Sequence, residues 1–479
     1  MSLAPVDPAA ASVPSPEDLR ARFEARAAFA ARSPIRRCRS APSASKLIAA
    51  LQDRRAEIIE AVRADFGHRS PHESLVTEIY MPVSAGKFVL RHLGQWMRRE
   101  PRRTMLALLP ARSSVVPQPL GVVGVMSPWN YPVQLALTPV IYALAAGNRV
   151  MLKPSELTPR TGDKMAEILG SLFPDDLVAV VTGGAELGAS FSALPFDHVL
   201  FTGSTRVGRL VMQAAAKNLV PVTLELGGKS PAIVHDSFDL QRAGDALAGG
   251  KLFNAGQTCV APDYVLVDKA RADALCEAIA AGAARLYPRL ADNPDYTSVI
   301  NDAHRARLQH LLDDAKAKGA RLVEINPAGE AFDGAGNKMA PVLVRGPTDE
   351  MEVMQEEIFG PVLPIVEVDG LEAALRYVND RPRPLALYYF DDDPGRIDRV
   401  LTGTHSGGVT VNECMLHVAE EHLPFGGVGP SGMGAYHGRE GFDTFSHRKA
   451  VFRQPRINGR RLVSPPYGSR IERLIDWLM

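Results

Sequence analysis

Apolar residues recur along the chain with two different periods. From Pro16 to Phe66 they lie three and four residues apart, a spacing that predicts helix, and Gly67 ends the pattern. The stretch from Leu75 to Met97 repeats it, whereas between Arg112 and Glu225 short apolar runs alternate with helical stretches. The chain is therefore predicted to begin with helices and to continue as strands and helices in turn.

The alternating part contains four nearly continuous apolar runs that predict buried strands, with helical stretches between them. The predicted strands are Val122–Met126, Arg149–Lys153, Val178–Val181 and His198–Phe201, and the predicted helices are Val133–Ala146, Thr161–Leu172 and Val207–Lys217. Apolar strands joined by helices are typical of a parallel sheet that is covered on both faces. Such sheets bind ligands at the carboxyl ends of their strands.

A second alternation begins at Pro231 and continues to about His447. Strands are predicted at Ala232–Val234, Tyr264–Val267 and Leu385–Phe390, and we find no internal repeat. The fold class predicted from these patterns is α/β, with two parallel-sheet domains.

Cys259 closes a short polar turn, Gly256-Gln257-Thr258-Cys259, between a helical stretch and an apolar strand. A thiol at such a junction is open to a substrate and can act as a nucleophile, although most free cysteines are only small buried apolar residues. Possible partners lie elsewhere in the chain. Glu225 is followed by two glycines, and Asn130 lies between two prolines, so together they offer a base and an oxyanion donor.

Small residues follow the strand that ends at Phe201. The run Gly203-Ser204-Thr205-Arg206-Val207-Gly208 opens a helix, and a helix N-terminus attracts phosphate through its free N–H groups and its dipole. The spacing is not the usual GxGxxG. A tight turn without a ligand therefore remains the alternative on these residues alone.

Charge and cysteine content exclude several classes of protein. The 479 residues carry 54 Lys and Arg against 54 Asp and Glu, so no net charge points to nucleic acid. The four cysteines, at positions 38, 259, 276 and 414, form no CxxC pair, which argues against a disulfide framework or a metal site. Without a secretory signal or an apolar run of membrane-spanning length, the protein is expected in the cytoplasm.

The chain resembles the NAD(P)-dependent aldehyde dehydrogenases, and within them the class 3 and coniferyl aldehyde dehydrogenase branch. The resemblance covers about residues 45 to 450 and is carried by seven motifs in the family's order. They are Ser127-Pro128-Trp129-Asn130-Tyr131-Pro132, Lys153-Pro154-Ser155-Glu156, Phe201-Thr202-Gly203-Ser204, Glu225 to Pro231, Gln257-Thr258-Cys259, Glu357-Ile358-Phe359-Gly360-Pro361 and Pro424-Phe425-Gly426-Gly427.

The resemblance implies oxidation of an aldehyde to the acid. Cys259 would form a hemithioacetal and then a thioester, and the Asn130 side chain with the Cys259 N–H would hold the oxyanion. Glu225 would activate water, which points to hydrolysis of the thioester rather than transfer to another acceptor. A thiol acyltransferase or esterase without redox chemistry, and a non-catalytic NAD-binding protein, are the alternatives.

The resemblance also implies the cofactor site. Lys153 and Glu156 would bind the adenine ribose, Ser204 the pyrophosphate, and Glu357 the ribose on the nicotinamide side, where Phe359 limits the position of the ring. Trp129, Gly203 and Gly208 complete the predicted set. A glutamate at position 156 tends to exclude a 2′-phosphate, so we expect NAD and leave NADP open.

The motifs divide the chain into predicted domains. Residues 1–17 are expected to be disordered. The resemblance implies a Rossmann-like NAD(P)-binding domain at 18–96 and 118–225 and a catalytic domain at 226–447. Residues 97–117 and 448–455 are expected to form a small oligomerisation arm of a homodimer, since the class 3 branch is mostly dimeric. The tail, 456–479, has too few apolar residues for stable membrane insertion.

The residues around the predicted nucleophile favour an uncharged substrate. Neither Thr258–Ala261 nor Asn130–Val133 carries a basic side chain that could anchor a second carboxylate. Trp129 and Tyr131 could line an apolar entrance, although either could equally be part of the core. We expect a coniferaldehyde-like aromatic or a medium-chain apolar aldehyde.

Overall fold

The computed structural model describes residues 14–32, 37–458, 464–467 and 469–479. Its strands, numbered along the chain, are β1 (Glu100–Arg102), β2 (Arg112–Pro119), β3 (Val122–Met126), β4 (Arg149–Lys153), β5 (Val178–Val180), β6 (His198–Thr202), β7 (Val222–Glu225), β8 (Pro231–Val234), β9 (Tyr264–Asp268), β10 (Arg321–Glu324), β11 (Val342–Arg345), β12 (Val362–Val368), β13 (Ala386–Phe390), β14 (Gly408–Val411), β15 (Gly432–Met433) and β16 (Ser446–Arg453).

The helices are numbered in the same way. They are α1 (Pro16–Arg32), α2 (Arg37–Asp53), α3 (Arg55–Asp65), α4 (Pro71–Ser74), α5 (Met81–Trp96), α6 (Gln134–Ala145), α7 (Pro159–Leu172), α8 (Ala185–Ser192), α9 (Thr205–Ala216), α10 (Leu240–Leu252), α11 (Ala272–Leu286), α12 (Asp302–Ala317), α13 (Glu352–Gln355), α14 (Gly370–Asn379), α15 (Pro394–Gly403), α16 (Leu416–Ala419), α17 (Gly438–Thr444) and α18 (Ser469–Leu478). A turn of π-helix, Leu75–Tyr80, joins α4 to α5.

Two sheets form the body of the molecule, as the sequence predicts. The first has the order β15-β7-β6-β3-β4-β5 and the second the order β10-β11-β12-β9-β8-β13-β14. All neighbouring strands are parallel except β15 and β10, which pair antiparallel at one edge of each sheet. The predicted α/β class with two mainly parallel sheets is confirmed.

One continuous apolar core connects the two sheets. Every residue of α6 is buried, including Pro139, so this helix is surrounded by protein on all sides. The same cluster of buried side chains contains Val125 of the first sheet and Val265 of the second. The loop that follows β3 and the loop that follows α10 are therefore held in a fixed relation to each other by packing.

A third, small sheet stands apart from the other two. Its order is β1-β2-β16, and all its pairs are antiparallel. Eight residues of β16 pair with β2, from Ser446 opposite Pro119 to Arg453 opposite Arg112. Two segments that are distant in sequence thus form one sheet, and this sheet contains residues of both stretches predicted to form the arm, 97–117 and 448–455.

The structure corrects the predicted boundaries at two places. β15 pairs with β7 of the first sheet, Gly432 opposite Glu225, and α17 packs on α5 and α6, so residues 432–444 do not belong with the second sheet. This strand has two residues and no apolar period, and the carbonyl of Leu224 leaves no room for a side chain at Gly432. Helix α1 begins at Pro16, inside the segment 1–17 that was predicted to be disordered; residues 1–13 lie outside the described residues.

Candidate active site

The loop before Cys259 turns sharply because three consecutive residues adopt left-handed backbone conformations. They are Asn254, Ala255 and Gly256, with φ of 52°, 52° and 74°. A side chain at Gly256 would collide with the carbonyl oxygen of Gly360, so glycine is required there. The turn leaves Cys259 half-buried at the amino-terminal side of β9.

Gln257 fixes this loop to its surroundings. Its buried side-chain amide donates to the carbonyls of Asn254 and Ser298, both at 3.0 Å, and its Oε1 accepts from the N–H of Ile300 at 2.9 Å. The Asn254 carbonyl also accepts from the backbone N–H of Gln257 at 3.0 Å, so the side chain of Gln257 reinforces the turn and in addition binds Ser298 and Ile300. The position of Cys259, two residues later, is set by this network.

Asn130 lies directly against the same loop. Its Nδ2 donates to the carbonyl of Gln257 at 3.1 Å, and its own carbonyl accepts from Nδ2 of Asn254 at 3.1 Å. The next residue, Tyr131, is hydrogen-bonded through its hydroxyl to Oγ1 of Thr258 at 2.6 Å. An amide nitrogen has two N–H groups, so Asn130 has a second one to offer to an acceptor near Cys259.

Glu225 is the last residue of β7 and is almost completely buried, with 2% of its surface exposed. Neither carboxyl oxygen has a hydrogen-bond partner within the described chain. Burial raises the pKa of Glu225 well above its ordinary value. A carboxyl group in this state is a stronger base than an exposed glutamate once it has lost its proton.

The thiol of Cys259 is protonated at neutral pH in this environment. Burial raises its pKa to about 12, and the nearby carboxyl groups of Glu357 and Glu225 add to the increase. Both carboxyl groups disfavour a further negative charge beside them. Formation of the thiolate therefore needs a proton acceptor close by or a positive charge that binds near it.

The predicted cofactor residues gather at the carboxyl ends of β4 and β6. Lys153, the last residue of β4, is buried, and its Nζ pairs with Oε2 of the half-exposed Glu156 at 2.8 Å. Ser204 follows β6 and caps α9, where its Oγ accepts from the N–H of Val207 at 3.4 Å. The strands β6, β3 and β4 are neighbours, so Ser204, Asn130 and Lys153 all follow or end strands on the carboxyl-terminal side of the first sheet.

Both predicted glycines of this turn are also required by packing inside the protein. An added Cβ at Gly203 would lie 2.6 Å from the ring of Phe201, and one at Gly208 would lie 2.6 Å from Leu226. A side chain at Gly203 would require the Phe201 ring to move, and one at Gly208 would require Leu226, which follows β7, to move. This close packing brings the helix N-terminus to the edge of the sheet.

Glu357 and Phe359 precede β12 of the second sheet and lie close to residues of the first sheet's carboxyl-terminal side. The Glu357 carboxyl lies against the backbone of Gly227, where any side chain would collide with it, and its Oε1 has no hydrogen-bond partner in the described chain. Burial, with a contribution from Asp263, raises the pKa of Glu357 to about 8. Phe359 has a left-handed backbone, φ 52°, and its ring meets Trp129 edge-on at 5.3 Å.

Sequence reasoning missed a buried lysine behind this site. Lys251, near the end of α10, is 3% exposed, and its Nζ has no hydrogen-bond partner among the described residues. Burial lowers its pKa to about 8, against the opposing effect of Asp263. The sequence does not reveal its burial, because a lysine in a helical pattern is ordinarily assigned to the surface and the adjacent Gly249, Gly250 and Leu252 do not indicate otherwise.

Neither a metal-ligand cluster nor a membrane-spanning helix occurs in the part of the chain that the structure describes. No three His, Cys, Asp or Glu side chains are grouped there as metal ligands are. None of the helices from α1 to α18 is long and apolar enough to cross a bilayer.

Comparison with known proteins gives a consistent result. The model of the aldehyde dehydrogenase family matches residues 17–451. The chain is 52% identical over 418 residues, 87% of either chain, to a probable coniferyl aldehyde dehydrogenase of Pseudomonas aeruginosa, and 49% identical to coniferyl aldehyde dehydrogenase of a Pseudomonas species, over 91% of this chain and 90% of the other. The substrate-bound state of Staphylococcus aureus AldH superposes with a TM-score of 0.91 at 36% identity, covering 96% of this chain and 99% of that one.

The high pKa of Cys259 predicts how the free protein reacts with iodoacetamide. Only the thiolate is alkylated, and its fraction rises about tenfold for each pH unit below the pKa. We expect the rate of Cys259 labelling, followed by mass spectrometry of its peptide, to rise about tenfold for each pH unit from pH 7 to pH 9, about a hundredfold in all. Cys276 and Cys414, both buried, serve as internal references that stay unlabelled. A plateau below pH 9 would contradict the burial argument.

Proposed function

Because the chain belongs to the aldehyde dehydrogenase family and oxidises aldehydes with NAD(P), we propose that Cys259, Asn130 and Glu225 carry out this reaction. The observation that supports the assignment most strongly is the joining of the two loops. The Asn130 amide is hydrogen-bonded to the backbone two residues before Cys259, and the buried Glu225 carboxyl acts electrostatically on the same thiol.

The reaction begins when Cys259 Sγ adds to the aldehyde carbon. The thiol proton passes to a nearby base, and the carbonyl oxygen becomes an oxyanion on a tetrahedral carbon. That oxyanion accepts hydrogen bonds from the free N–H of the Asn130 amide and from the backbone N–H of Cys259. Loss of one such donor typically costs about 3 kcal/mol of transition-state stabilisation.

The residues at the first sheet fit a dinucleotide. Lys153 and Glu156 would hold the adenine ribose, Ser204 with the N-terminus of α9 the pyrophosphate, and Glu357 the other ribose. Supporting this, the Glu357 Oε1 is buried without a protein partner and the end of β6 brings backbone N–H groups to the edge of the sheet. A dinucleotide held by these residues would supply the acceptor for the hydride that leaves the tetrahedral carbon. Glu156 disfavours a 2′-phosphate, so NAD is the preferred cofactor.

Glu225 completes the cycle. The thioester on Cys259 is cleaved by water, which must lose a proton as it attacks. Glu225 has two carboxyl oxygens without partners in the described chain, and its raised pKa makes it a competent base. The hydrolysis releases a free acid and returns the thiol. This step separates the proposed enzyme from an acyltransferase or esterase with the same nucleophile.

The substrate we propose is a coniferaldehyde-like aromatic aldehyde. Two relatives at 52% and 49% identity bear the name of coniferyl aldehyde dehydrogenase, one of them as probable. The buried hydroxyl of Tyr131 is hydrogen-bonded to Oγ1 of Thr258 at 2.6 Å, so it is not free to bind a charged group of a substrate. No basic side chain lies within Asn130–Val133 or Thr258–Ala261 to select a carboxylate.

The small third sheet supports a homodimer. Its β16 is an edge strand with Phe452 exposed, and an exposed edge with an apolar side chain is a place where another strand can add. We propose that two copies pair through this arm, formed by 97–117 and 448–455. An isologous dimer would cover both edges at once.

Replacement of the two reacting groups should separate the steps. Cys259→Ser removes NADH formation while leaving the affinity for NAD nearly unchanged, because a hydroxyl is a far poorer nucleophile. Glu225→Gln leaves a rapid burst of about one NADH per site, followed by slow turnover, because the thioester forms but is not hydrolysed. Stopped-flow absorbance at the NADH band measures both, and Cys276→Ser is the matched control. An unchanged steady rate in Glu225→Gln would show that another base activates water.

The preference for an uncharged substrate is measured with a panel of aldehydes. We expect kcat/KM for coniferaldehyde or hexanal to exceed that for succinic semialdehyde by at least about tenfold, the equivalent of roughly 1.4 kcal/mol of transition-state binding. Each aldehyde is assayed with NAD and with NADP. If the semialdehyde is oxidised fastest, a basic residue distant in sequence reaches the substrate and the apolar assignment is wrong.

The assembly is measured by light scattering behind a sizing column. We expect the mass of a dimer, since one chain is 51.8 kDa and each contributes one arm. Replacing Phe452 by Glu places a charge on the exposed edge of β16 and should shift the mass toward one chain. Ile457→Glu, an exposed residue beyond that strand, is the control. A monomer in the unaltered protein would exclude the dimer.

A further inference from the structure

We propose that Arg69 is a positioning residue of aldehyde oxidation, which holds the backbone of Asn130 so that its side-chain amide meets the oxyanion. The inference rests on the role proposed above for Asn130. Nη1 of Arg69 donates to the carbonyl oxygen of Asn130 at 2.8 Å, and no part of the Arg69 side chain is exposed. Arg69 itself touches neither the nucleophile nor the base.

The guanidinium group is held rigidly by its surroundings. It pairs with Oε1 of Glu78 at 2.9 Å, and this carboxyl is also completely buried. Its central carbon lies 4.8 Å from the ring centre of Phe66 and 4.9 Å from that of Tyr131. A planar group between two rings has a fixed orientation, which a lysine ammonium could not have.

Glu78 holds the same loop at a second point. Its Oε2 accepts from the N–H of Val133 at 3.0 Å and from the N–H of Gln134 at 2.9 Å, at the beginning of α6. A carboxylate at a helix N-terminus is favourably placed for both the free N–H groups and the helix dipole. The ion pair therefore fixes the loop on both sides of Tyr131.

Glu73, in the short helix α4 between Arg69 and Glu78, holds the loop that carries Cys259. Oε1 of Glu73 accepts from the N–H of Asn254 at 3.1 Å, and Oε2 accepts from the hydroxyl of Thr297 at 2.6 Å. The side chain of Asn254 donates in turn to the Asn130 carbonyl, the same oxygen that Arg69 binds. Residues 69–78 thus fix the oxyanion donor and the nucleophile relative to each other.

Energetics favour a positioning role over a purely stabilising one. A buried ion pair loses the hydration of both groups, and apolar residues of similar size often give equal or greater stability. What the ion pair provides is directed hydrogen bonding to the carbonyl of Asn130 and to the N–H groups that begin α6. Misplacement of a catalytic group by about 1 Å can reduce a rate roughly a hundredfold.

The test removes the ion pair of Arg69 and Glu78 and measures whether the resulting loss of kcat/KM depends on the side chain of Asn130. The double variant Arg69→Met, Glu78→Gln keeps an acceptor for the N-terminus of α6 and leaves no unpaired charge. We expect kcat/KM for coniferaldehyde to fall about 10- to 100-fold, with the dissociation constant of NAD changed less than about twofold. Arg26→Met, with Arg26 1% exposed and paired with Asp175 at 2.8 Å, is the control for loss of a buried arginine elsewhere.

Combination with Asn130→Ala decides the question. If Arg69 acts through Asn130, the triple variant has nearly the kcat/KM of Asn130→Ala alone; multiplication of the two losses would overturn the proposal. If Asn130→Ala leaves kcat/KM unchanged, the proposed function of Asn130 fails and this inference fails with it. Should the double variant not fold, Arg69→Lys, which keeps the charge, answers the same question, since it is expected to lose activity and to show the same non-additivity.

Discussion

The hydrogen bond from the Asn130 amide to the carbonyl of Gln257 connects the two loops of the proposed catalytic centre. Asn130 follows β3 of the first sheet, whereas Gln257 precedes β9 of the second. The apolar core that connects the two sheets holds the loops in a fixed relation, and direct polar contacts, including those with the side chains of residues 69–78, add directed bonds between them. Packing therefore sets the general arrangement of the site, and a small number of buried polar bonds sets the orientation of its groups.

These bonds exist beside polar groups that the protein leaves without partners. Both oxygens of Glu225, Oε1 of Glu357 and Nζ of Lys251 are buried with no hydrogen-bond partner in the described chain. Each such group costs of the order of 1–3 kcal/mol of folding stability. The two carboxyl groups lie near the Cys259 thiol, and their burial lowers the stability of the fold while it raises their basicity.

Much of this arrangement can be predicted from the sequence. The apolar runs at β3, β4 and β6 predicted the first sheet, and the rule that ligands bind at carboxyl strand ends favoured a site at Lys153 and Ser204. The residue types at Asn130 and Glu225 offered an oxyanion donor and a base, whereas their position beside Cys259 and the role of Glu357 were implied only by the resemblance, since nothing in the spacing indicates that β3 and β12 belong to facing sheets. Arg69 and Glu78 gave no signal at all, because a charged residue in a helical pattern looks the same whether it faces solvent or a buried partner. The two-residue strand β15 was missed because it is too short to show a period.

The position of β15 has a consequence for biosynthesis. Gly432 and Met433 pair with β7 beside Glu225, so the edge of the first sheet is completed by residues near the end of the chain. A ribosome adds residues in order and the earlier part of a chain generally folds first. Here the strand that carries Glu225 must wait for about two hundred further residues before its neighbour exists. The proposed catalytic centre is therefore complete only after Gly432 and Met433 have been synthesised, and a nascent chain that lacks them has no partner on this side for the strand that carries Glu225.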